Sequence, residues 1–254
     1  MKSIDIIINH TDDRYNVEKC LKSVKATGDE FLLVDFVGSQ TAKELCRLNQ
    51  IKYLPNDPSL INSSIEEIKK NRKDKYVLLI GSNEFLSRNL SNNLSKFSNE
   101  LKSDIYSITI RKNYYGRWMK HSGLYPYREF RLFRKDKVIW SGETIKLKPR
   151  VKINATYDTF NGEIYCTVYN SIYNHIEHIN STTEKEAEML FNMGFRTSTI
   201  KIIIKPVLHF MKLFFIKLGF LDGYYGLINA VITAYSDFLI QVKLKYLRRV
   251  KGLN

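Results

Sequence analysis

Cysteine is scarce in this chain, and the three present, Cys20, Cys46 and Cys166, are widely spaced without a CxxC pair. That excludes a disulfide framework and a zinc ribbon and makes reduced cytosolic thiols the default. No stretch reaches the ~18 uncharged apolar residues that a spanning helix needs. The opening MKSIDIIINHTDD holds an apolar run too short for a signal peptide. There is no internal repeat and no low-complexity linker. Acidic residues are also in short supply: 26 Asp and Glu stand against 40 Lys and Arg, a net charge of +14. A surplus of that size calls for an anionic partner. It is local, however: residues 111–150 carry +9 and residues 196–254 carry +8, which leaves the rest slightly acidic. Nucleic acid rewards Lys and Arg, but no recognised nucleic-acid motif is present and half of the surplus sits beside an apolar tail. No nucleic-acid partner is expected.

What is there is the composition of a folded protein. Hydrophobic residues make up 44% and charged residues 26%, which excludes a disordered chain. The 254 residues allow one large domain or a domain with an appendage. In the first third, IDIII (4–8), FLLVD (31–35), IKYL (51–54) and YVLLI (76–80) read as strands, and 16–25, 41–49 and 63–71 as helices. Val17, Cys20, Leu21 and Val24 share a helical face, and Ser63 with Glu66 has the capping-box spacing. Strand and helix in turn predict βαβ units, a mostly parallel sheet, and a nucleotide-sized crevice at its carboxyl edge. From residue 104 come shorter strands, IYSITI (105–110) and REFRLFR (128–134), and then a helical stretch over 171–193.

Three segments in order carry a resemblance. They are NVEKCLKSV (16–24) with the downstream LLVD, KNYYGRWMKHSGLYPYREFRLFRKD (112–136), and KLGFLDGYYGL (217–227). Together they are similar to the family 2 glycosyltransferases of the bacterial lipopolysaccharide-core type, which include core heptose glucosyltransferases. The second segment is the most specific, and the three span most of the chain. The resemblance implies an α/β, GT-A-like fold and inverting transfer of one sugar from a nucleotide-sugar donor, commonly a UDP-hexose. It implies an acceptor that is a lipopolysaccharide core or another lipid-linked glycan. Asp35 would contact the base or ribose, and the segment from Asn9 to Asp13 would line the same pocket. A carboxylate accepts hydrogen bonds from a uracil N–H or from ribose hydroxyls. An Asp that closes a strand is equally a turn former.

Where the chain departs from that family is as informative. At the end of the fourth strand the family has Asp-x-Asp-Glu, whose second Asp helps to bind Mg2+ or Mn2+ on the diphosphate. This chain has Gly81-Ser82-Asn83-Glu84. Hard divalent cations take anionic oxygen ligands, so Glu84 is the one carboxylate left and cation affinity is expected to fall sharply. Asn83 and Glu84 are expected at a former metal position, touching donor phosphate or sugar. Ser141-Gly142-Glu143 keeps the Glu but not the His of the family's Val-His-Glu. Glu143 is the candidate general base, the group an inverting transfer needs to take the acceptor proton; the other reading is a hairpin-loop Glu after Trp140. Arg117, Lys120, His121, Arg128, Arg131 and Arg134 are candidate phosphate or acceptor contacts, because arginine forks fit phosphate oxygens. Strand alternation puts 128 and 134 on one face and 131 on the other. The degenerate motif also admits a second function, a catalytically inactive homologue that binds glycan or partner enzymes as a scaffold.

In the tail, Ile203, Ile204, Val207, Leu208, Met211, Phe214, Phe215 and Leu218 form a helical stripe, with Lys201, Lys205, Lys212 and Lys217 largely off it. Pro206 places the start of the regular helix nearby. A second apolar run, 227–247, is followed by Arg248 and Arg249. This is the composition of helices lying in a membrane interface against anionic lipid; two helices packed on the catalytic domain, or a dimer contact, are the other readings. The expected organisation is a GT-A-like domain over 1–195 and membrane-docking amphipathic helices over 196–254. The protein would be cytoplasmic, held peripherally at the inner face of the cell membrane. His175 and His178, at i and i+3, lack a completing metal ligand and read as helix-surface residues.

Overall fold

The computed structural model describes residues 4–12, 17–57, 76–97, 101–141 and 148–252. Asp13, Glu143 and the capping pair Ser63 and Glu66 lie outside the described residues. The chain divides into two units: Met1–Ile110 with Tyr127–Cys166, and Arg111–Pro126 with Thr167–Asn254. The boundary expected at residue 195 does not coincide with this division, because the 111–126 hairpin and the helix over 172–192 belong with the C-terminal helices.

The first unit is α/β. Strands β1 (Ile4–His10), β2 (Phe31–Asp35), β3 (Lys52–Pro55) and β4 (Tyr76–Gly81) run parallel in the order β3-β2-β1-β4. β1 and β4 are buried along their whole length, as strands covered on both faces should be. Helix α1 (Val17–Val24) buries Val17, Cys20, Leu21 and Val24, the face its spacing predicts. Helix α2 (Gln40–Leu48) is capped by Ser39, whose Oγ accepts from Ala42 N at 3.1 Å. Beyond β4 the sheet turns antiparallel through β8 (Tyr127–Arg134), β6 (Ile105–Tyr114), β11 (Tyr157–Tyr169) and β5 (Glu84–Leu86). It is therefore a mixed sheet with a Rossmann-like parallel half, the α/β, GT-A-like architecture expected. β9 (Val138–Ser141) and β10 (Lys148–Val151) form a separate antiparallel hairpin. The core gathers Ile7, Leu32, Val34, Val77, Leu79 and Phe133 between them. The long strand β11, rich in aromatic and β-branched residues, is absent from the expected elements.

One irregularity decides where a functional candidate points. β6 and β8 pair Tyr106 with Leu132 and Ser107 with Phe130, so Arg131 is the extra residue of a β-bulge. A bulge interrupts the alternation of faces. Arg131, Leu132 and Phe133 are consequently buried in succession, and the expectation that 128 and 134 share a face loses its basis.

In the second unit the end of β6 turns back through β7 (Arg117–Trp118), pairing Tyr114 with Arg117. Helices α4 (Ile172–Asn192, after α3 at Arg88–Phe97 in the first unit), α5 (Thr199–Met211) and α6 (Tyr224–Val250) follow. α4 buries His175, Ile179, Thr183 and Ala187 at four-residue spacing. His175 is thus not a surface residue: its ring stacks on Tyr169 at 3.7 Å, and its Nδ1 bonds the Tyr115 hydroxyl. α5 begins at Ser198, whose Oγ accepts from Lys201 N, and keeps Pro206 inside it rather than at its start. α6 is long and apolar enough, by length and composition alone, to cross a membrane, which the reading of the sequence did not anticipate. It buries Gly226, Asn229, Ala230, Ile232, Ile240 and Leu244 and packs against α4 and α5, as the central helix of this unit.

Candidate functional site

The carboxyl edge of the parallel strands brings four candidates together. Asn9 pairs in register with Gly81, and His10 with Asp35. Asn9, Asp35 and the 81–84 turn therefore share one edge of the sheet, where ligands of open α/β sheets bind. The structure then shows what each side chain is occupied with. Asp35 is fully buried. Its Oδ1 accepts from Val37 N at 2.9 Å and Gly38 N at 3.0 Å; its Oδ2 accepts from Ser39 N at 2.6 Å and the Tyr53 hydroxyl at 2.8 Å. Burial, and then that bond to Asp35, push the Tyr53 phenol up to about 12, so it stays a donor. Of the two readings of Asp35, this geometry is that of the turn former.

The turn Gly81-Ser82-Asn83-Glu84 is built the same way. Ser82 N donates to Asn9 O, and Ser82 Oγ bonds His10 Nδ1 at 2.9 Å. Asn83 Nδ2 donates to Cys166 Sγ at 3.4 Å. Glu84 is buried, with Oε2 accepting from Gly81 N at 2.7 Å and Oε1 paired with the Arg131 guanidinium at 2.7 Å. Arg131 also meets Glu129 at 2.8 Å. Burial works against its charge, but the two carboxylates outweigh burial and hold the guanidinium above its ordinary range. Burial, with Glu84 nearby, pushes the Cys20 thiol far up, so it is no nucleophile. The next helix is capped by Ser87, whose Oγ accepts from Leu90 N at 3.1 Å, not by Asn83 or Glu84.

These donors do not fit a divalent cation. Glu84 offers both oxygens to internal partners, one of them a cation, and the neutral amide of Asn83 and hydroxyl of Ser82 are poor substitutes for the anionic oxygens that such an ion takes. Among the described residues no group of three or more His, Cys, Asp or Glu could hold a metal ion.

The six basic candidates separate. Arg131 is inside, on Glu84. Arg134 forms a fork on Asp136 at 2.7 and 3.0 Å and meets Asp104 at 2.8 Å. It stands in register with Tyr76 at the amino end of β4, five residues from Gly81, which is ~16 Å of strand. Neither is available to a phosphate at the crevice. Arg128 is exposed on β8. Arg117, Lys120 and His121 are grouped in one loop of the second unit, where Arg117 and Lys120 are exposed.

That loop has an anchor the sequence did not identify. The Asp222 carboxylate is buried and accepts from Lys120 N at 3.2 Å and His121 N at 2.8 Å. Ser122 N donates to Lys217 O at 2.9 Å. A Cβ on Gly219 would lie 2.6 Å from Ser122 Oγ, and one on Gly226 would lie 1.9 Å from Gly219 O, so both glycines are required by close approach. The second and third resemblance segments are thus bonded to each other, with Arg117 stacked over Tyr225 at 5.7 Å. The available signal was Asp222 between two glycines.

No protein-family model matches the chain. It is 24% identical over 261 residues to an uncharacterized glycosyltransferase of Rickettsia bellii, covering 97% of this chain and 87% of that protein. Among solved structures, S. aureus TarS 1-349 in complex with UDP-GlcNAc has a TM-score of 0.43 at 13% identity, over 99% of this chain and 92% of that one. A 4-diphosphocytidyl-2C-methyl-D-erythritol synthase has a TM-score of 0.37 at 10% identity, over 54% and 77%.

Proposed function

We propose that this chain is an inverting glycosyltransferase that moves one sugar from a nucleotide sugar, a UDP-hexose first, to a lipopolysaccharide core or other lipid-linked glycan. The observation that carries the reading is the near end-to-end similarity to a protein named a glycosyltransferase. It is supported by the parallel half-sheet with its polar carboxyl edge, and by the bonds joining the 112–136 and 217–227 segments. In the reaction the acceptor hydroxyl attacks the anomeric carbon as the bond to the diphosphate breaks. Glu143 takes the hydroxyl proton, and the nucleoside diphosphate leaves. The donor is held at the edge formed by β1, β2 and β4. A cation on the diphosphate would supply Lewis-acid charge stabilisation, but Glu84 and Asn83 do not fit one, so no step runs through it. Arg128, exposed on β8 of the same unit, is a charge available to phosphate.

Calorimetric titration with UDP, UDP-glucose, UDP-galactose, UDP-N-acetylglucosamine and GDP-mannose, each with Mn2+ and with EDTA, tests the reading. Donor binding that survives EDTA is the expected result. Binding only with Mn2+ means that Glu84 leaves Arg131 for a cation. Absence of binding in every arm favours the second reading, a catalytically inactive glycan-binding or scaffold homologue. Its support is the internal use of both Asp35 and Glu84.

A further inference from the structure

The side of α5 turned away from α6 is apolar and uncovered. Ile200, Ile203, Ile204, Val207, Leu208 and Met211 recur at helical spacing and are 45–68% exposed. The patch does not end with the helix: a π-helical turn at Lys212–Ile216 carries it on through Phe215 and Ile216. A 3-10 turn at Gly219–Asp222 then adds Phe220 and Leu221. Monomeric soluble proteins rarely expose so many contiguous large apolar side chains without a use for them. The surrounding charge has one sign. Lys201, Lys205, Lys212 and Lys217 are all exposed, whereas the two acids of residues 196–254 are turned inward. Asp222 is buried under the Lys120 and His121 amides, and Asp237 is held by His209 and Lys205.

We propose that α5 and the two turns after it dock in the interface of an anionic phospholipid bilayer. The apolar stripe enters the boundary between headgroups and acyl chains, and the exposed lysines meet lipid phosphates. A wide apolar face beside lysines is what an in-plane helix needs, whereas a second copy of this surface would set lysines against lysines. The bonds from Asp222 and Lys217 O to residues 120–122 tie the Arg117–His121 loop to this element, so docking holds that loop beside the headgroup layer. The proposal stands apart from the glycosyl-transfer reading, since it requires no donor or acceptor.

Full-length protein is sedimented with vesicles of phosphatidylcholine alone or mixed with phosphatidylglycerol. Wild type is expected on the mixed vesicles, bound at least ~10-fold more tightly than to phosphatidylcholine. Ile204→Glu/Leu208→Glu removes binding; because both side chains are exposed, its thermal melt should match wild type. Lys201→Ala/Lys212→Ala weakens binding about fivefold per lysine. All three native cysteines are buried, so a fluorophore on Leu208→Cys reports from that site, and brominated acyl chains should quench it. Lack of quenching, equal binding by the Glu variant, or failure of wild type to bind overturns the proposal. So does a lipid-free dimer in sedimentation velocity that Leu208→Glu dissociates, since the face then covers a second copy.

Discussion

Glu84 has two carboxylate oxygens, and the fold uses both, one on the Gly81 amide and one on Arg131. A buried ion pair is no evidence of net stabilisation in itself, but breaking one strands a charge, at a cost of ~3–5 kcal/mol. Glu84→Ala should therefore lower the unfolding free energy by about that amount in urea titrations, and Glu84→Leu/Arg131→Met should recover most of it. A loss below ~1 kcal/mol for the single variant would mean that the pair is not buried in solution, which would reopen Glu84 as a ligand. His175 gives a pH signature at the same scale. Burial first, and then nearby His178, lower its pKa from 6.5 to about 4. Between these values the unfolded chain takes up a proton that the folded chain refuses. The contribution is complete above pH 6.5 and is lost as pH falls towards 4, on the order of 3 kcal/mol. His175→Phe should flatten that part of the stability curve measured by thermal melts.

At the scale of elements, the decisive contacts join turns rather than helix faces. Asp222 supplies a carboxylate to two backbone amides 101 and 102 residues earlier. Asp222→Ala leaves those amides without it, at ~1–3 kcal/mol. Hydrogen exchange at Lys120 and His121 should accelerate while exchange in β1 and β4 stays unchanged; uniform acceleration would point to global destabilisation instead. Gly226→Ala drives a methyl into the Gly219 carbonyl and should cost ~1–3 kcal/mol or more by overpacking, measured by urea titration. Wild-type stability there would show that the turn relaxes freely.

For the whole molecule, the +14 charge and the division into units act together. Because α4, α6 and the 111–126 hairpin form one unit, a chain ended at residue 195 loses the Asp222 anchor and the helix that covers α4. Such a chain should lose near-ultraviolet circular dichroism and be cut by protease within 111–126. A soluble, protease-resistant fragment would instead establish 1–195 as a domain of its own. The apolar stripe of α5 and its lysines leave with the truncation, so the vesicle binding proposed for that face should be lost, while the basic zone at 111–150 stays.

The α/β class, the four parallel strands and the helical face of α1 are legible in the chain alone, because buried strands and amphipathic helices write their periods directly into it. It also located the polar edge holding Asn9, Asp35, Asn83 and Glu84, since turn formers closing apolar runs mark strand ends. What those side chains bond to emerges only on packing. Asp35 is engaged by its own loop and by Tyr53, and Glu84 by an arginine 47 residues away. Arg131 reaches Glu84 because a bulge, set by a neighbouring strand, re-aims it. The Asp222 anchor was illegible for the same reason: an acid between glycines reads as a turn until the fold brings the amides of Lys120 and His121 to it. Local periodicity is a property of the chain, whereas the partner of a buried charge is a property of the packed molecule.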